Sequence, residues 1–296
     1  MKRVGFFVRA RSVMAPFIRP LLESCQPIRK VGLWWLARRQ RSVIEHGGYR
    51  FELDPKDFGV TFELEATGEY ERKTRELCMA SLKPGMTFVD VGAHVGLYAI
   101  PAAAAVGPSG KVFAFDPDPD NFRLLSRNVA SSGYTNIQLN NVAVSNINGH
   151  LKLHRSPYNT GDHQIFFQGT GRETVTVQSV TLDEYFKGRT DSIDVAKFDI
   201  QGAEAAALQG MMEILANSRN LKMFIEFAPS MLEDAGADPL AFLKSIENHG
   251  FGLSIIDDAD GTVTRADAEA IVHSSRKQAY INIMCERPPG GGRRVE

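Results

Sequence analysis

The sequence predicts an α/β protein built on a doubly wound, mostly parallel sheet of seven strands. Three observations support this fold class. Residues 88–106 read as a strand, a glycine turn and an apolar helix. Residues 111–115 form a second apolar strand that ends at Asp116. Strands and helices then keep alternating as far as residue 256, which is the pattern of a parallel sheet with helices on both faces.

The turn at residues 92–96 is where we expect a ligand. Gly92 and Gly96 allow a sharp strand-to-helix turn and a close approach of a ligand to the backbone. Asp90 before the turn can accept hydrogen bonds, and the helix after it begins with free amide groups. An ordinary buried strand–turn–helix unit would explain an isolated turn of this kind equally well.

The position of Asp116 in the chain favours a ligand site over an ordinary strand–turn–helix unit. In doubly wound folds, an acid that closes the next strand, roughly 20 residues beyond the glycine turn, binds ribose hydroxyls. The interval from Asp90 to Asp116 is in this range, although it is slightly long. A dinucleotide turn would read Gly-x-Gly-x-x-Gly, whereas His94 stands here where a pyrophosphate would press. The turn therefore favours S-adenosylmethionine, whose middle section is cationic, over NAD.

Three motifs together resemble the FkbM-type branch of the S-adenosylmethionine-dependent methyltransferases. They are DVGAHVGLY at 90–98, FAFDPDPDNF at 113–122 and KFDIQGAE at 197–204. The similarity covers roughly residues 88–226. His94 stands where this branch often has Asn, and Asp116 and Gln201 stand where Glu is common, but no needed chemical group is lost. The resemblance implies the class I, Rossmann-like methyltransferase fold and methyl transfer from S-adenosylmethionine.

Ligands of open α/β sheets bind outside the carboxyl ends of the strands, where polar residues are concentrated in this sequence. The residues assigned to the cofactor are Asp90, Gly92, Ala93, His94, Gly96, Asp116, Asn121, Asn141 and Asp199. Asn141 is placed at the adenine edge, although a plain turn asparagine is an equal alternative.

A polar loop at 157–164 is predicted to overhang the sheet, and the FkbM-type pattern has a similar Asn-x-Gly-Asp-His run. From it, Asn159 is assigned to substrate binding, together with Glu226 at the end of the fifth strand. His163 and Asp162 are assigned to catalysis, with Asp162 fixing the tautomer of His163. Asn, Gly and Asp are also the default turn residues, so a structural role stays open.

The predicted reaction is methylation of a hydroxyl on a sugar, glycan or secondary metabolite. The enzyme would align the reactants and supply a base, either His163 or its rival Asp199. Lys197 would pair with Asp199 or Glu204 in a structural role. A divalent cation held by Asp162, Asp199 and Glu226 is a less favoured alternative. An NAD-dependent oxidoreductase and a catalytically inactive, membrane-associated scaffold are the alternatives of other classes.

The first 45 residues form a basic extension with a net charge of +8, against −1 for the whole chain. Its apolar clusters are interrupted by arginines, so residues 1–41 predict neither a transmembrane helix nor a signal peptide. Either a helix lying on anionic lipid or packing against the domain or a second subunit would explain the pattern. The methyltransferase domain is assigned to 46–287, and residues 288–296 are predicted to be disordered.

Before the core, alternating apolar residues in 47–66 predict a strand hairpin, and residues 69–82 predict a helix. After Asp116, Asp118 is a helix N-cap with Pro119 behind it, and that helix ends near Gly133. Residues 146–180 predict a β-hairpin insertion, and Thr181 opens a short helix. The remaining predicted elements are strands at 137–144, 193–199, 221–227, 252–256 and 279–284 and helices at 203–215 and 239–249.

Composition limits the remaining possibilities. With 296 residues, 43% of them hydrophobic, the chain can bury a core without staples. Cys25, Cys78 and Cys285 are far apart, which argues against structural zinc and a disulfide framework and fits a reducing cytoplasm. We expect a cytoplasmic protein, peripheral at the inner membrane face if residues 1–41 bind lipid. Its partner should be a hydroxyl acceptor and not a nucleic acid, and a homo-oligomer is possible.

Overall fold

The computed structural model describes residues 42–276 and 278–287. The strands are β1 (Val43–His46), β2 (Tyr49–Glu52), β3 (Thr87–Val91), β4 (Lys111–Phe115), β5 (Ile137–Asn140), β6 (Ala143–Val144), β7 (Gly149–Arg155), β8 (Glu173–Val180), β9 (Val195–Phe198), β10 (Lys222–Phe227), β11 (Gly252–Ile256), β12 (Val263–Ala266) and β13 (Ile281–Glu286). The helices are α1 (Val60–Thr67), α2 (Arg72–Ala80), α3 (Ala99–Val106), α4 (Pro119–Ser132), α5 (Leu182–Phe186), α6 (Glu204–Gln209), α7 (Met212–Asn217), α8 (Pro229–Asp234), α9 (Pro239–Asn248) and α10 (Ala268–Ser275).

The central sheet has the strand order β12-β11-β13-β10-β9-β3-β4-β5. The five strands from β10 to β5 run parallel, and β13 is antiparallel to both β10 and β11. The predicted α/β fold is confirmed, with eight strands in this sheet instead of seven. The additional strand is β12, which pairs with β11 at the sheet edge. Three of its four residues are exposed, so it carries no alternating hydrophobic signal.

The order of the strands determines where a ligand can bind. From β3 the chain proceeds to β4 and β5 on one side of the sheet, and later to β9 and β10 on the other. The switch point therefore lies between β3 and β9, and in open α/β sheets the crevice at the carboxyl ends of such strands is the usual binding site.

Two hydrophobic clusters cover the two faces of this sheet. Neighbouring residues of one strand belong to different clusters, as with Phe88 and Val89 on β3 and with Met223 and Phe224 on β10, and all four are fully buried. This alternation is expected because successive strand side chains point to opposite faces. Both faces are packed, so the strands at the switch point are held rigidly.

The N-terminal hairpin is formed by β1 and β2, and the prediction of a second strand at 60–66 is wrong. Those residues form α1, in which Val60 and Leu64 are buried while Phe62 between them is only partly buried. Apolar residues at i, i+2 and i+4 suggest alternation, but residues four apart also share one face of a helix.

The predicted strand 137–144 divides into two. β5 joins the central sheet, whereas β6 pairs with β8 in a separate three-stranded sheet that also contains β7. The antiparallel pair β7–β8 is the predicted hairpin insertion. The predicted helix 203–215 is likewise divided into α6 and α7 at Gly210, where a β-carbon would lie 2.1 Å from the carbonyl oxygen of Ser145. Close approach of the β6 segment thus explains the break.

The predictions for residues 1–41, including Cys25, and for the tail at 288–296 lie outside the described residues. Cys78 and Cys285 are buried free thiols. Within 42–276 and 278–287, the model contains no helix whose length and hydrophobicity would let it cross a bilayer.

Candidate active site

A cavity opens at the carboxyl ends of β3, β4 and β9, at the switch point of the sheet. Residues assigned from the sequence to the cofactor or to catalysis line this cavity: Asp90, Gly92, Ala93, His94, Asp116, Asn121, His163 and Asp199. Tyr70, Tyr98, Thr160, Lys197 and Gln201 also line it. The structure thus brings together residues that are far apart in the chain, from Val60 to Gln201.

Five assigned residues do not line the cavity: Gly96, Asn141, Asn159, Asp162 and Glu226. Gly96 faces the interior, where a β-carbon would lie 3.0 Å from Leu125 Cδ1. Asn141 donates hydrogen bonds from Nδ2 to the carbonyl oxygens of Asp116 and Pro117, at 2.8 and 3.1 Å. Asn141 therefore supports the loop after β4, as the turn alternative predicted.

Gly92 has a positive φ of 88°, and a β-carbon on it would lie 1.9 Å from the carbonyl oxygen of Asp199. The neighbouring strand end, and not the ligand alone, therefore requires glycine here. This contact holds the turn after β3 against the end of β9, and so fixes the two sides of the switch point relative to each other.

Asp116 organises the same turn from β4. Its Oδ2 accepts a hydrogen bond from the amide of His94 and its Oδ1 accepts one from the amide of Asp118, both at 2.9 Å. Burial and the nearby Asp118 carboxylate raise the pKa of Asp116. Each carboxylate oxygen has two lone pairs, so a bound hydroxyl can still donate to Asp116.

His94 adopts φ 48°, a left-handed conformation that is uncommon for a residue with a side chain. Its Nε2 lies 2.8 Å from Thr160 Oγ1, while its buried Nδ1 has no hydrogen-bond partner. Burial lowers the pKa of His94, which keeps the imidazole neutral. A donor or acceptor on a bound molecule would satisfy the unpaired nitrogen.

The polar loop predicted to overhang the sheet does cover the cavity. Thr160 accepts a hydrogen bond at its carbonyl oxygen from Asn121 Nδ2, and its amide donates to Asp57 Oδ1, both at 2.9 Å. Asn159 packs against the segment before α1, where a β-carbon on Gly59 would lie 1.9 Å from Asn159 Oδ1. The loop is therefore held from two elements on opposite sides.

His163 lines the cavity, but Asp162 does not orient it, and that prediction is wrong. Nδ1 of His163 accepts a hydrogen bond from the amide of Ser156 at 3.0 Å, and its Nε2 lies 3.7 Å from Asp118 Oδ2. Asp162 instead pairs with Arg172 at 2.6 Å. Successive side chains of a bent loop diverge, so adjacency in sequence did not give contact.

The hydrogen bond at Nδ1 also affects whether His163 can act as a base. It places the ring proton on Nε2, so the neutral imidazole has no free lone pair with which to accept a proton. Burial lowers the pKa of His163 to about 4, far below the range of an effective base at neutral pH. This arrangement favours a structural role for His163.

Asp199 ends β9 and is connected to the end of β10 by Gln201. Nε2 of Gln201 donates to Asp199 Oδ1 at 2.8 Å and to Glu226 Oε1 at 2.6 Å. Gln201 adopts φ 53°, which turns its side chain back over the strand ends. Asp199 retains 18% side-chain exposure, whereas Glu226 is buried behind it. Asp199 is thus the carboxylate that faces the cavity.

Lys197 is completely buried beneath these carboxylates. Its Nζ lies 3.5 Å from Asp199 Oδ2 and 3.7 Å from Glu71 Oε2. Neighbouring carboxylates, first of all Asp199, outweigh burial and raise the pKa of Lys197, so the ammonium stays charged. Glu204, the other expected partner, accepts hydrogen bonds from the amides of Ile200 and Gly202 instead.

Glu71 was not predicted from the sequence. It precedes α2 with φ 42°, and its carboxylate accepts hydrogen bonds from Tyr98 OH and Asn282 Nδ2, both at 2.8 Å. Burial raises its pKa, against the effect of Lys197. Asn282 is 211 positions away in the chain, so no local pattern could have indicated this contact.

The metal-binding trio predicted from Asp162, Asp199 and Glu226 is not assembled, because Asp162 lies at Arg172. Glu71 takes its place: one oxygen from each of Glu71, Asp199 and Glu226 lies within 4.8 Å of the others. Lys197 already provides a positive charge between two of them.

Comparison with known proteins identifies the family to which these motifs point. A family model described as the methyltransferase FkbM domain matches residues 90–253, which is more than half of the chain. The match includes Asp90, Asp116, Asp199 and Glu226, but not Glu71 or Asn282.

Two curated relatives are also similar to this chain. Hexuronic acid methyltransferase AglP from Haloferax volcanii is 30% identical over 128 residues, 43% of this chain and 50% of AglP. Methyltransferase sdnD from Sordaria araneosa is 27% identical over 195 residues, 55% of this chain and 75% of sdnD. The chain thus spans half of the length of AglP.

Among solved structures, an rRNA methylase from Streptococcus thermophilus aligns with a TM-score of 0.43 and 15% identity, covering 73% of this chain and 95% of that one. A SAM dependent methyltransferase from Aquifex aeolicus aligns with a TM-score of 0.40 and 14% identity, covering 72% and 88%. Similarity at this level says nothing about substrate.

Proposed function

This chain belongs to the FkbM methyltransferase family, and from that premise we propose that it transfers the methyl group of S-adenosylmethionine to a hydroxyl of a sugar, glycan or secondary metabolite. One observation carries the proposal. The cavity at the switch point combines a buried acid on β4 with a carboxylate on β9, on either side of the glycine turn after β3.

The residues of the cavity suit this cofactor chemically. Asp116 can accept hydrogen bonds from ribose hydroxyls, and the unpaired Nδ1 of buried His94 lies in the same turn. Asp90 Oδ2 is buried without a hydrogen-bond partner, so it can accept one from an ammonium group. Carboxylates around the cavity favour a ligand that carries positive charge.

When bound, the cofactor supplies a methyl group on a sulfonium, which needs no further activation. The protein has to align the acceptor oxygen with that methyl group and remove the hydroxyl proton as transfer proceeds. The covering loop held by Asn121 and Asp57 would exclude water from the cavity.

We assign proton removal to Asp199 in preference to His163. Asp199 is partly exposed to the cavity at a rigid strand end, and its Oδ2 lies 3.5 Å from Nζ of Lys197. His163 lacks a free acceptor atom, as its hydrogen bond with Ser156 shows.

The test measures cofactor binding and turnover separately. Asp116→Asn should weaken S-adenosylmethionine binding by about 10-fold or more in calorimetry, because a charge-assisted hydrogen bond to ribose is lost. Asp191→Asn, at an exposed position, is the matched control. Unchanged affinity in Asp116→Asn would remove the ribose assignment, and NAD binding in place of S-adenosylmethionine would favour an oxidoreductase.

Asp199→Asn should lower turnover of an identified acceptor by about 100-fold, the usual scale for loss of a general base, while His163→Ala has a mild effect. The reverse order would return the base to His163. Incubating cell extracts with isotope-labelled S-adenosylmethionine and detecting labelled products by mass spectrometry would identify that acceptor.

A further inference from the structure

We propose that the acceptor subsite lies beside Asp199 and Glu226 and that it selects acceptors without a negative charge, namely neutral polyols or amine-bearing sugars. Uronic acids and phosphorylated sugars would be rejected. The inference rests on the proposed function, because it concerns the second substrate of the same reaction.

The location follows from the two ends of the cavity. Asp116 and Asn121 lie at the β4 and α4 end, which the proposed function gives to the nucleoside. Tyr70, Lys197 and Asp199 lie toward β9, on the other side of the switch point. An acceptor must approach the methyl group from the side opposite the leaving sulfur, and the β9 end is the part of the cavity left for it.

The charge at this end is predominantly negative. Glu71, Asp199 and Glu226 place oxygens within 4.8 Å of one another. Among residues 42–276 and 278–287, Lys197 is the one basic side chain that forms an ion pair with any of the three. Of these three residues only Asp199 lines the cavity; Asp90 lines it as well, and its buried Oδ2 lacks a hydrogen-bond partner.

The carboxyl groups of this cluster also change the pKa values of the side chains around them. Burial and the carboxylates of Asp199 and Glu71 raise the pKa of Glu226. Burial, followed by Glu71, Asp199 and Glu226, also raises the pKa of Tyr70 at the cavity wall. Four carboxyl groups, those of Glu71, Asp199, Glu226 and Asp90, are thus grouped around the one ammonium of Lys197, which opposes a further negative charge.

Nearby arginines do not offset this charge, because they are already paired. Arg155 binds Asp118 at 2.8 Å and also Asp120, and Arg172 binds Asp162. A carboxylate or phosphate on the acceptor would therefore meet like charges, and Arg155 and Arg172 would not be free to bind it. Hydroxyl and ammonium groups, by contrast, can donate to Asp199, which lines the cavity together with Tyr70.

A divalent cation in the carboxylate cluster would reverse this selectivity, since it would attract an anionic acceptor. The hydrogen bonds disfavour that arrangement. Tyr98 and Asn282 each donate to a different oxygen of Glu71, and Gln201 donates to both Asp199 and Glu226. The cation position between Glu71 and Asp199 is held by Lys197.

The test uses the full chain saturated with S-adenosylhomocysteine, the product of the cofactor. Methyl glucosaminide differs from methyl glucoside only at C2, and methyl glucuronide differs from it only at C6. The dissociation constants of all three are measured by saturation-transfer NMR at pH 7.5 with EDTA. We expect the neutral and amine-bearing probes to bind at least about tenfold more tightly than the uronide, which corresponds to ~1.4 kcal/mol.

Glu226→Gln, which replaces one carboxyl group of the cluster by a neutral amide, should narrow that difference, while Glu213→Gln on the exposed surface of α7 should leave it unchanged. Equal or tighter binding of the uronide overturns the inference. The inference is also overturned if none of the three probes binds, or if added magnesium makes the protein prefer the uronide. Failure of S-adenosylhomocysteine itself to bind would overturn the proposed function as well, so the two failures are distinguishable.

Discussion

At the scale of single residues, Gly92 and Asp116 each have a structural role in addition to the role in cofactor binding that the sequence predicts. Asp116 accepts one hydrogen bond from the amide of His94 in the glycine turn and one from the amide of Asp118 in its own loop. Gly92 makes room for the carbonyl oxygen of Asp199. Residues that would contact a cofactor are therefore also the residues that hold the strand ends together, and their substitution affects both stability and binding.

Gly92→Ala tests this dual role. Its β-carbon would overlap the Asp199 carbonyl at 1.9 Å and also require a positive φ, so we expect a loss of more than about 3 kcal/mol of unfolding free energy. Gly133→Ala is the matched control, because Gly133 has φ 77° but nothing within 4 Å. It should cost about 1 kcal/mol. Similar losses in urea denaturation would show that the contact with Asp199 is unimportant.

His163 gives a prediction about pH. Its pKa is lowered to about 4 in the folded protein, from an ordinary value of 6.5, because it is buried. Between those values the unfolded chain binds a proton that the folded protein does not, so stability falls as the pH falls from 6.5 toward 4. The contribution is about 2–3 kcal/mol.

The measurement compares unfolding free energies at several pH values in the wild type and in His163→Gln. The difference between the two curves should change through this interval and be constant above pH 7. His273→Gln, on the exposed side of α10, is the control and should show no such change. A flat difference for His163→Gln would mean that the imidazole is solvated in solution.

At the scale of elements, the covering loop is attached to α4 and to the segment before α1, and not only to its own hairpin. Asn121 and Asp57 bind the backbone of Thr160, and His94 binds its hydroxyl. If the proposed cofactor enters and leaves past this loop, each of these contacts should slow its exchange.

Thr160→Val should therefore increase the dissociation rate of S-adenosylmethionine by about 3- to 10-fold, since a neutral hydrogen bond contributes roughly 1 kcal/mol. The shape of the side chain is retained, so stopped-flow fluorescence would report the lost contact with His94. Thr176→Val, exposed on β8, is the control. An unchanged dissociation rate would mean that the Thr160–His94 contact does not limit opening.

At the scale of the whole molecule, positive charge is concentrated near the N-terminus, in residues that lie outside the part of the chain that the structure describes. Residues 1–41 carry ten Lys or Arg against one Glu, a net charge of +9, and two adjacent tryptophans. If this segment binds membranes, the protein should co-sediment with anionic vesicles in a salt-sensitive manner. Deletion of 1–41 should abolish this while leaving S-adenosylmethionine affinity intact. Loss of dimerisation or solubility on deletion, with no vesicle binding in the full chain, would favour packing instead.

The sequence by itself determined the fold class, the central strands and the glycine turn and Asp116 that line one end of the cavity. Glycine turns, N-caps and apolar strands are local signals, so residues 88–133 could be predicted nearly element by element. The resemblance to the FkbM-type motifs added the cofactor and the reaction class, and the match at 90–253 confirms that family.

Only the tertiary structure decided how the other end of the cavity is built. Glu71 and Asn282 come from opposite ends of the described chain and meet because β13 inserts between β10 and β11. Asp162, next to His163 in sequence, is turned away toward Arg172. Side-chain direction in loops and contacts between distant strands depend on packing of the whole sheet, which local sequence patterns do not encode.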